Sequence, residues 1–268
     1  MNWFKLLGHD LRAGLLRRRY LAVPLLFAVG CVLCALRLPD LRGSWMDYLL
    51  FCFRGLPPME NANGFELPVG WFAIMGGSLY LQLDYLLNDL TEAGQQVIVR
   101  AVSRRSWYLS KCVWNLLTCG CVIAVGMVTA LVFALLFGGS ASLGNTPEVT
   151  MRTLECYVEA PLSVGQGLWI GAVLPYLAVA SFSQLQMSLC LFCKPIISFL
   201  ICVSGLVLSL LVCVPWLPAN AAQTMRSSLL GSQLQPGVLT AVCLILLLVS
   251  MIAGVVRFER MDLLRYEE

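Results

Sequence analysis

The side chains able to perform acid–base, nucleophilic or metal chemistry are few, and they do not converge. His9 is the only histidine, so no intramembrane histidine triad can hold a metal. No G-x-x-x-x-G-K-[ST] phosphate loop occurs, and neither H-E-x-x-H nor G-x-S-x-G is present. Of the 12 cysteines, Cys31, Cys34, Cys119, Cys121, Cys202, Cys213 and Cys243 lie inside apolar stretches, where cysteine acts as a small apolar residue. The C-x-x-C spacings Cys31–Cys34 and Cys190–Cys193 lack the βαβ setting a redox motif needs. Cys52 and Cys156 fall in two polar connections and stay open as a pair for an oxidising exterior. Asp84 is the only acid within an apolar stretch, where an ionisable group is costly unless partnered. It either forms an internal ion pair with Arg100, Arg104 or another basic residue, or reaches water beside Asp89 and Glu92. Ser181, Gln184 and Ser188 share one helical face, with Ser183 and Gln186 beside them. That face either joins helix to helix by hydrogen bonds or lines a translocation path with Ser78 and Gln82.

The elements that must position these groups are six apolar stretches, at about 20–38, 69–87, 107–137, 168–192, 196–216 and 238–256. Each approaches the ~20 residues needed to cross ~30 Å of hydrocarbon. A chain that is 59% hydrophobic and 12% charged departs from soluble domains in the same direction. The expected fold class is therefore an all-α polytopic membrane protein with six transmembrane helices. With the N-terminus inside, Lys5, Arg12, Arg17, Arg18, Arg19, Arg100, Arg104, Arg105, Lys111, Lys194, Arg257, Arg260 and Arg265 are internal. Only Arg37, Arg42, Arg54, Arg152 and Arg226 are external. That bias places both termini in the cytoplasm. The net charge of +3 suits anionic lipid head groups and not nucleic acid. The long patterned leader and the lack of a small-x-small site predict that the first apolar run is retained.

Residues 1–19 read as an amphipathic helix on the inner membrane face. Trp3, Leu7, Leu11 and Leu15 recur at i, i+4 with Phe4 alongside, and Lys5, His9, Arg12 and Arg19 take another sector. The aromatic run from Trp45 to Phe53 predicts a short helix at the outer leaflet, and residues 138–167 and 217–237 predict structured caps. Pro215-Trp216-Leu217-Pro218 opens a segment that could re-enter as a pair of half-helices. In the internal stretch, Thr91 and Glu92 start a helix over about 91–102. Ser106 is expected to cap a third helix starting at Trp107 and running to Gly138. That helix would be ~46 Å long, so its basic first turns project from the bilayer.

The segment Gly94-Gln95-Gln96-Val97-Ile98-Val99-Arg100-Ala101-Val102-Ser103-Arg104-Arg105-Ser106-Trp107-Tyr108-Leu109-Ser110-Lys111, with six spans and a basic N-terminal helix, resembles bacterial ABC-2-type permeases. The passage from Gln184 to Leu189 and from Lys194 to Phe199 is similar to small permeases of that group. The resemblance implies one transmembrane domain over 1–268 that exports a peptide, antibiotic or other amphipathic molecule. It implies no catalytic site and no cofactor in this chain, with ATP and Mg bound by separate ABC ATPase subunits. The coupling helix meeting that ATPase would carry Thr91, Glu92, Gln95, Gln96, Val97 and Arg100, with Arg104 and Arg105 after it. Trp3, Phe4, Leu7, Leu11 and Arg12 would form the interface helix. A second permease chain, the same or related, and membrane lipids complete the implied partners. A secondary transporter or a non-transporting membrane anchor or sensor subunit is the alternative; broken-helix repeats and midplane charges, its usual marks, are not seen.

Overall fold

The structure is a computed structural model that describes residues 7–8, 18–58, 67–83, 85, 103–156 and 160–261. Among the described residues it is all-helical. A 3-10 turn, Arg18–Leu21, leads into α1, Ala22–Leu36. Next come α2, Trp45–Cys52; α3, Val69–Gln82; and α4, Arg104–Leu136. Then follow α5, Pro147–Leu154, and α6, Val164–Leu189, which contains one π-helical turn at Trp169–Val173. α7, Pro195–Leu211, and α8, Pro236–Arg260, complete the set. The helices over Arg19–Leu36, Arg104–Leu136, Val164–Leu189 and Pro236–Arg260 are long and apolar enough to cross a membrane. α7 is apolar but only 17 residues long, and α3 has 14.

Local chemistry explains where these helices begin and end. Ser44 and Asp47 form a reciprocal capping box on α2, and Ser163 and Gln166 form one on α6. Pro147, Pro195 and Pro236 open their helices at positions that need no N–H donor. α4 stops where Gly138 takes φ +72°, the left-handed conformation that closes helices. α4 starts at Arg104 and not at Trp107, because Ser103 is extended (φ −161°, ψ 158°) and its hydroxyl accepts from the Ser106 amide. Ser106 thus lies in the first turn, and Arg104 and Arg105 become part of the helix.

Neighbouring contacts show that the long elements alternate in direction. Gly70 faces Gly30 and Gly77 faces Leu26, so α3 runs against α1. Asn115 meets Gln184 while Tyr108 meets Ser188, so α6 runs against α4. Phe182 packs on Gly205 while Cys190 meets Ser198, so α7 runs against α6. The bundle therefore has two ends. One, the base, holds the start of α4 and the end of α8; the other is a cap built from α2, α5 and the segment between α7 and α8.

The cap differs from the half-helices expected of residues 217–237. The segment folds as three 3-10 turns, Pro218–Ala222, Thr224–Arg226 and Ser228–Leu230. Ala219, Asn220, Ala222 and Arg226 in it are fully buried. The expected fifth span shortens for the same reason. α7 ends at Leu211, and Asn220 donates to the carbonyls of Val212 and Val214, turning the chain away from the helix. α2 is the short helix the aromatic run predicts, and Met46 through Cys52 are all buried. Its backbone approaches the end of α4, where Trp45 N–H donates to Ser140 O at 2.9 Å. A Cβ on Gly139 would lie 2.0 Å from Gly43 O, so this backbone junction requires glycine.

Candidate functional site

A polar seam runs through the otherwise apolar core between α3, α4, α6 and α8. On α4, Tyr108, Cys112, Asn115 and Cys119 recur at spacings of four, three and four, which puts them on one face. The facing stripe on α6 carries Ser183, Gln184 and Ser188. Asn115 Nδ2 donates to Gln184 Oε1 at 3.2 Å, and Gln184 Nε2 contacts Cys112 Sγ at 3.3 Å. The Ser183 hydroxyl stands between Asn115 Oδ1, at 2.6 Å, and Gln82 Oε1. Gln82 Nε2 continues to Cys119 Sγ at 3.4 Å. Lower down, Ser188 Oγ is 3.0 Å from Tyr108 Oη and 2.6 Å from Ser250 O on α8. In a low-dielectric core each of these groups is expensive alone and favourable when paired.

The five residues considered for a path are all buried within the single chain. Ser78 donates to Ile74 O and Ser181 to Ala178 O, each within its own helix. Gln82, Gln184 and Ser188 belong to the seam. Ser183, expected beside the polar face of α6, joins them, as do Asn115 and Tyr108 of α4, which were not singled out from sequence. Their signal was the spacing on α4, which is visible only when cysteine and tyrosine are counted as polar.

Toward the base, the seam meets a second apolar cluster of Trp107, Tyr108, Cys112, Met187, Cys190, Leu191, Phe258 and Met261. Trp107 stacks on Phe258 with centroids 4.9 Å apart. Lys111 is fully buried, its ammonium 4.9 Å from the Trp107 ring centroid, 5.1 Å from that of Tyr85 and 3.5 Å from Tyr85 Oη. Cation–π contact with two rings holds a desolvated ammonium better than aliphatic walls would. Sequence reading counted Lys111 only as an internal positive charge. Gly254 on α8 lets the phenol in, since a Cβ there would fall 1.9 Å from Tyr108 Oη.

Arg104 and Arg105 sit in the first turn of α4, where the helix dipole disfavours cations. The end of α8 compensates. Arg104 donates to Glu259 O at 3.3 Å and Met261 O at 2.8 Å, and Arg105 pairs with the Glu259 carboxylate. The carbonyls are those a helix C-terminus leaves unpaired. Arg257 donates to Leu191 O at 3.3 Å, tying α8 to the end of α6. The two arginines expected beside the coupling helix are thus fasteners within this chain. Thr91, Glu92, Gln95, Gln96, Val97, Arg100 and Asp84 lie outside the described residues, as do Trp3, Phe4, Leu11 and Arg12; Leu7 is described as helical and half-buried.

At the cap, two buried ions lack a direct opposite partner among the described residues. Asp47 accepts from Ser44 N and Oγ at 2.8 Å each, from Thr146 N at 3.1 Å and from Thr150 Oγ1 at 3.2 Å. Burial raises its carboxyl above the usual range, and those hydrogen bonds oppose the rise. Arg226 donates to Leu56 O at 2.9 Å, Leu210 O at 2.8 Å, Val212 O at 3.2 Å and Asn220 Oδ1 at 2.6 Å, and also contacts Ser209 O. Burial lowers its guanidinium. Three of these carbonyls are at the end of α7, whose negative pole suits a cation. Cys52 lies beside Cys31, with sulfurs 3.8 Å apart, while Cys156 contacts Leu154 O. The structure thus juxtaposes Cys52 with Cys31, and all described cysteines are thiols.

Among the described residues, no group of three or more His, Cys, Asp or Glu could hold a metal ion. The arrangement can fasten helices and stabilise buried charge. No curated protein and no solved structure matches the chain. A family model described as "Protein of unknown function (DUF2705)" matches residues 29–264, nearly the whole chain, and the chain therefore belongs to that family.

Proposed function

We propose that this protein is the membrane-spanning permease subunit of an ATP-driven transporter, moving an amphipathic molecule while a separate subunit hydrolyses ATP. In this reading α3 and α7 cross the bilayer with the four longer helices, both termini are cytoplasmic, and the chain lies in the cell membrane as a pair of permeases. The observation that carries it is α4. This helix is 33 residues long and unbroken from base to cap, about 50 Å. It is fastened to α8 at the base by Arg104, and to the cap by Trp45 Nε1, which donates to Met127 O at 2.9 Å. A displacement applied at its basic end would reach the cap without a hinge to absorb it.

The test is purification in mild detergent of the chain expressed with its natural neighbours. A P-loop ATPase is expected to co-purify, and to be lost when Gln95, Gln96, Val97 and Arg100 are replaced by alanine in a chain that still folds. Arg104 and Arg105 are left intact, because they fasten α8. A chain that purifies alone and moves cargo across vesicles without ATP would overturn the proposal in favour of a secondary transporter.

A further inference from the structure

Two thiols with no part in the polar seam meet where the cap joins the bundle. Cys31 lies in the second half of α1, Cys52 is the last residue of α2, and their sulfurs are 3.8 Å apart. Both side chains are buried. Rigid neighbours hold them there. Phe27, one turn before Cys31, packs edge-on against Phe53, the residue after Cys52, with ring centroids 5.8 Å apart. The backbones are close as well. A Cβ added to Gly30 would lie 3.7 Å from Cys52 Cα and 3.8 Å from Cys52 Cβ. The chain of α1 thus passes Cys52 at the separation disulfides span, about 4–7 Å between Cα atoms. Against a bond length of about 2 Å, the sulfurs have about 1.8 Å left to close, within reach of side-chain rotation.

We infer that Cys31 and Cys52 form a disulfide that ties the cap helix α2 to α1. The inference rests on the reading that the cap lies outside the cell, where disulfides form and persist. The oxidant is a disulfide compound of that compartment. One cysteine gives up its proton, and its thiolate attacks the oxidant's S–S bond, forming a mixed disulfide and expelling one thiolate. The second cysteine, deprotonated in turn, attacks its partner's sulfur and expels the other thiolate. Two electrons pass to the oxidant's sulfurs, which take up the two protons and leave as thiols. Burial sets the timing. Thr224 N donates to Phe53 O at 2.8 Å, so the segment after α7 covers the end of α2. The oxidant acts before that segment closes, and the closed cap then keeps reductants out.

The experiment maps thiols of the full chain in its own membrane. Cells are quenched in acid, and free thiols are alkylated with N-ethylmaleimide in denaturant, before and after reduction. Mass spectrometry is expected to find two thiols, Cys31 and Cys52, alkylated only after reduction, and a peptide pair cross-linked through them without it. Wild type expressed with an external reductant should melt about 5 °C or more lower in detergent. Cys52→Ala should melt alike with and without reductant, and Cys156→Ala should keep the cross-link. In parallel, a membrane-impermeant maleimide on intact cells reports the side of the exposed position 152 through Arg152→Cys. If that position is labelled from outside yet every wild-type thiol is free before reduction, the disulfide is overturned. If it is not labelled and every thiol is free, the orientation fails, and the inference with it. A bond from Cys52 to Cys34 or Cys156 would overturn the assigned pair. The wild-type map stands whether or not a variant folds.

Discussion

The base and the cap solve the same problem, polar groups in an apolar bundle, by opposite means. Between the cap and the helix ends that Arg104 and Arg257 cap at the base, the helices are continuous, so their backbones are self-satisfied and side chains need only meet one another. Asn115 with Gln184, and Tyr108 with Ser188, do this across a helix pair. At the cap the chain is broken into short turns, and side chains must satisfy backbone. Asp47 gathers two amide N–H groups, and Arg226 gathers four backbone carbonyls. A single side chain at the cap therefore stands in for many backbone bonds, whereas the base spreads its cohesion over many pairs.

The sharpest way to break the comparison is Arg226→Ala. Carbonyls of Leu56 and Leu210 would lose the guanidinium outright, while Ser209 and Val212 would keep only Gln223 and Asn220 as side-chain donors. The expected loss is more than about 3 kcal/mol, read as cap-selective proteolysis and a lowered Tm in detergent. Arg226→Lys should recover little, because one ammonium has three donors and no fork. Gly254→Ala comes next, at about 1–3 kcal/mol from overpacking against Tyr108. Its damage should be confined to the α4–α8 contact, as hydrogen exchange would show.

Asp47→Asn should cost about 1–2 kcal/mol, since an amide offers one acceptor where the carboxylate offers two and weakens a capping box. It also carries a pH signature. Because burial raises the folded carboxyl above its unfolded value, this group's contribution to stability is fully present below the unfolded pKa of about 4. It is lost as pH rises through the folded value. The wild type should therefore lose some cap stability as pH rises above about 4, and Asp47→Asn should remove that slope from Tm against pH. A smaller effect separates the two base arginines. Arg104→Gln gives up two carbonyl contacts, about 1 kcal/mol. Arg105→Gln gives up only an exposed ion pair with Glu259 and should leave Tm unchanged. Equal losses in both would mean that charge, not carbonyl capping, fastens α8.

These differences also decide what the sequence can disclose. Four long apolar helices are legible because hydropathy is a local property, summed over ~20 neighbouring residues. The start of α4 was displaced by one turn because Ser103 and Ser106 are both capping residues, and only backbone conformation chooses between them. Of the cap's ions, Arg226 is legible in the sequence only as a charge expected outside, Asp47 is not singled out, and neither is legible as a fastener. Thr146 lies 99 residues from Asp47 and Leu56 lies 170 from Arg226, separations at which one sequence carries no pairing signal. The expected half-helices gave way to 3-10 turns for a related reason. Arg226 and Asn220 accept the burden of satisfying that backbone, so no helix is needed to do it. Only the α6 face of the seam is readable, from the helical spacing of its serines and glutamines; which helix it meets is a property of the packed bundle.

The bond from Arg226 to Leu56 sets an order of events during synthesis. Those residues are 170 positions apart, and at 5–20 residues per second the second emerges roughly ten to thirty seconds after the first. Throughout that interval the turn after α2 is made but has no guanidinium to hold it. Any early shielding of that turn must come from lipid, water or a chaperone, and the cap closes only when α7 is already in place. A chain truncated before residue 226 should keep its first helices and leave the segment around Leu56 open to protease.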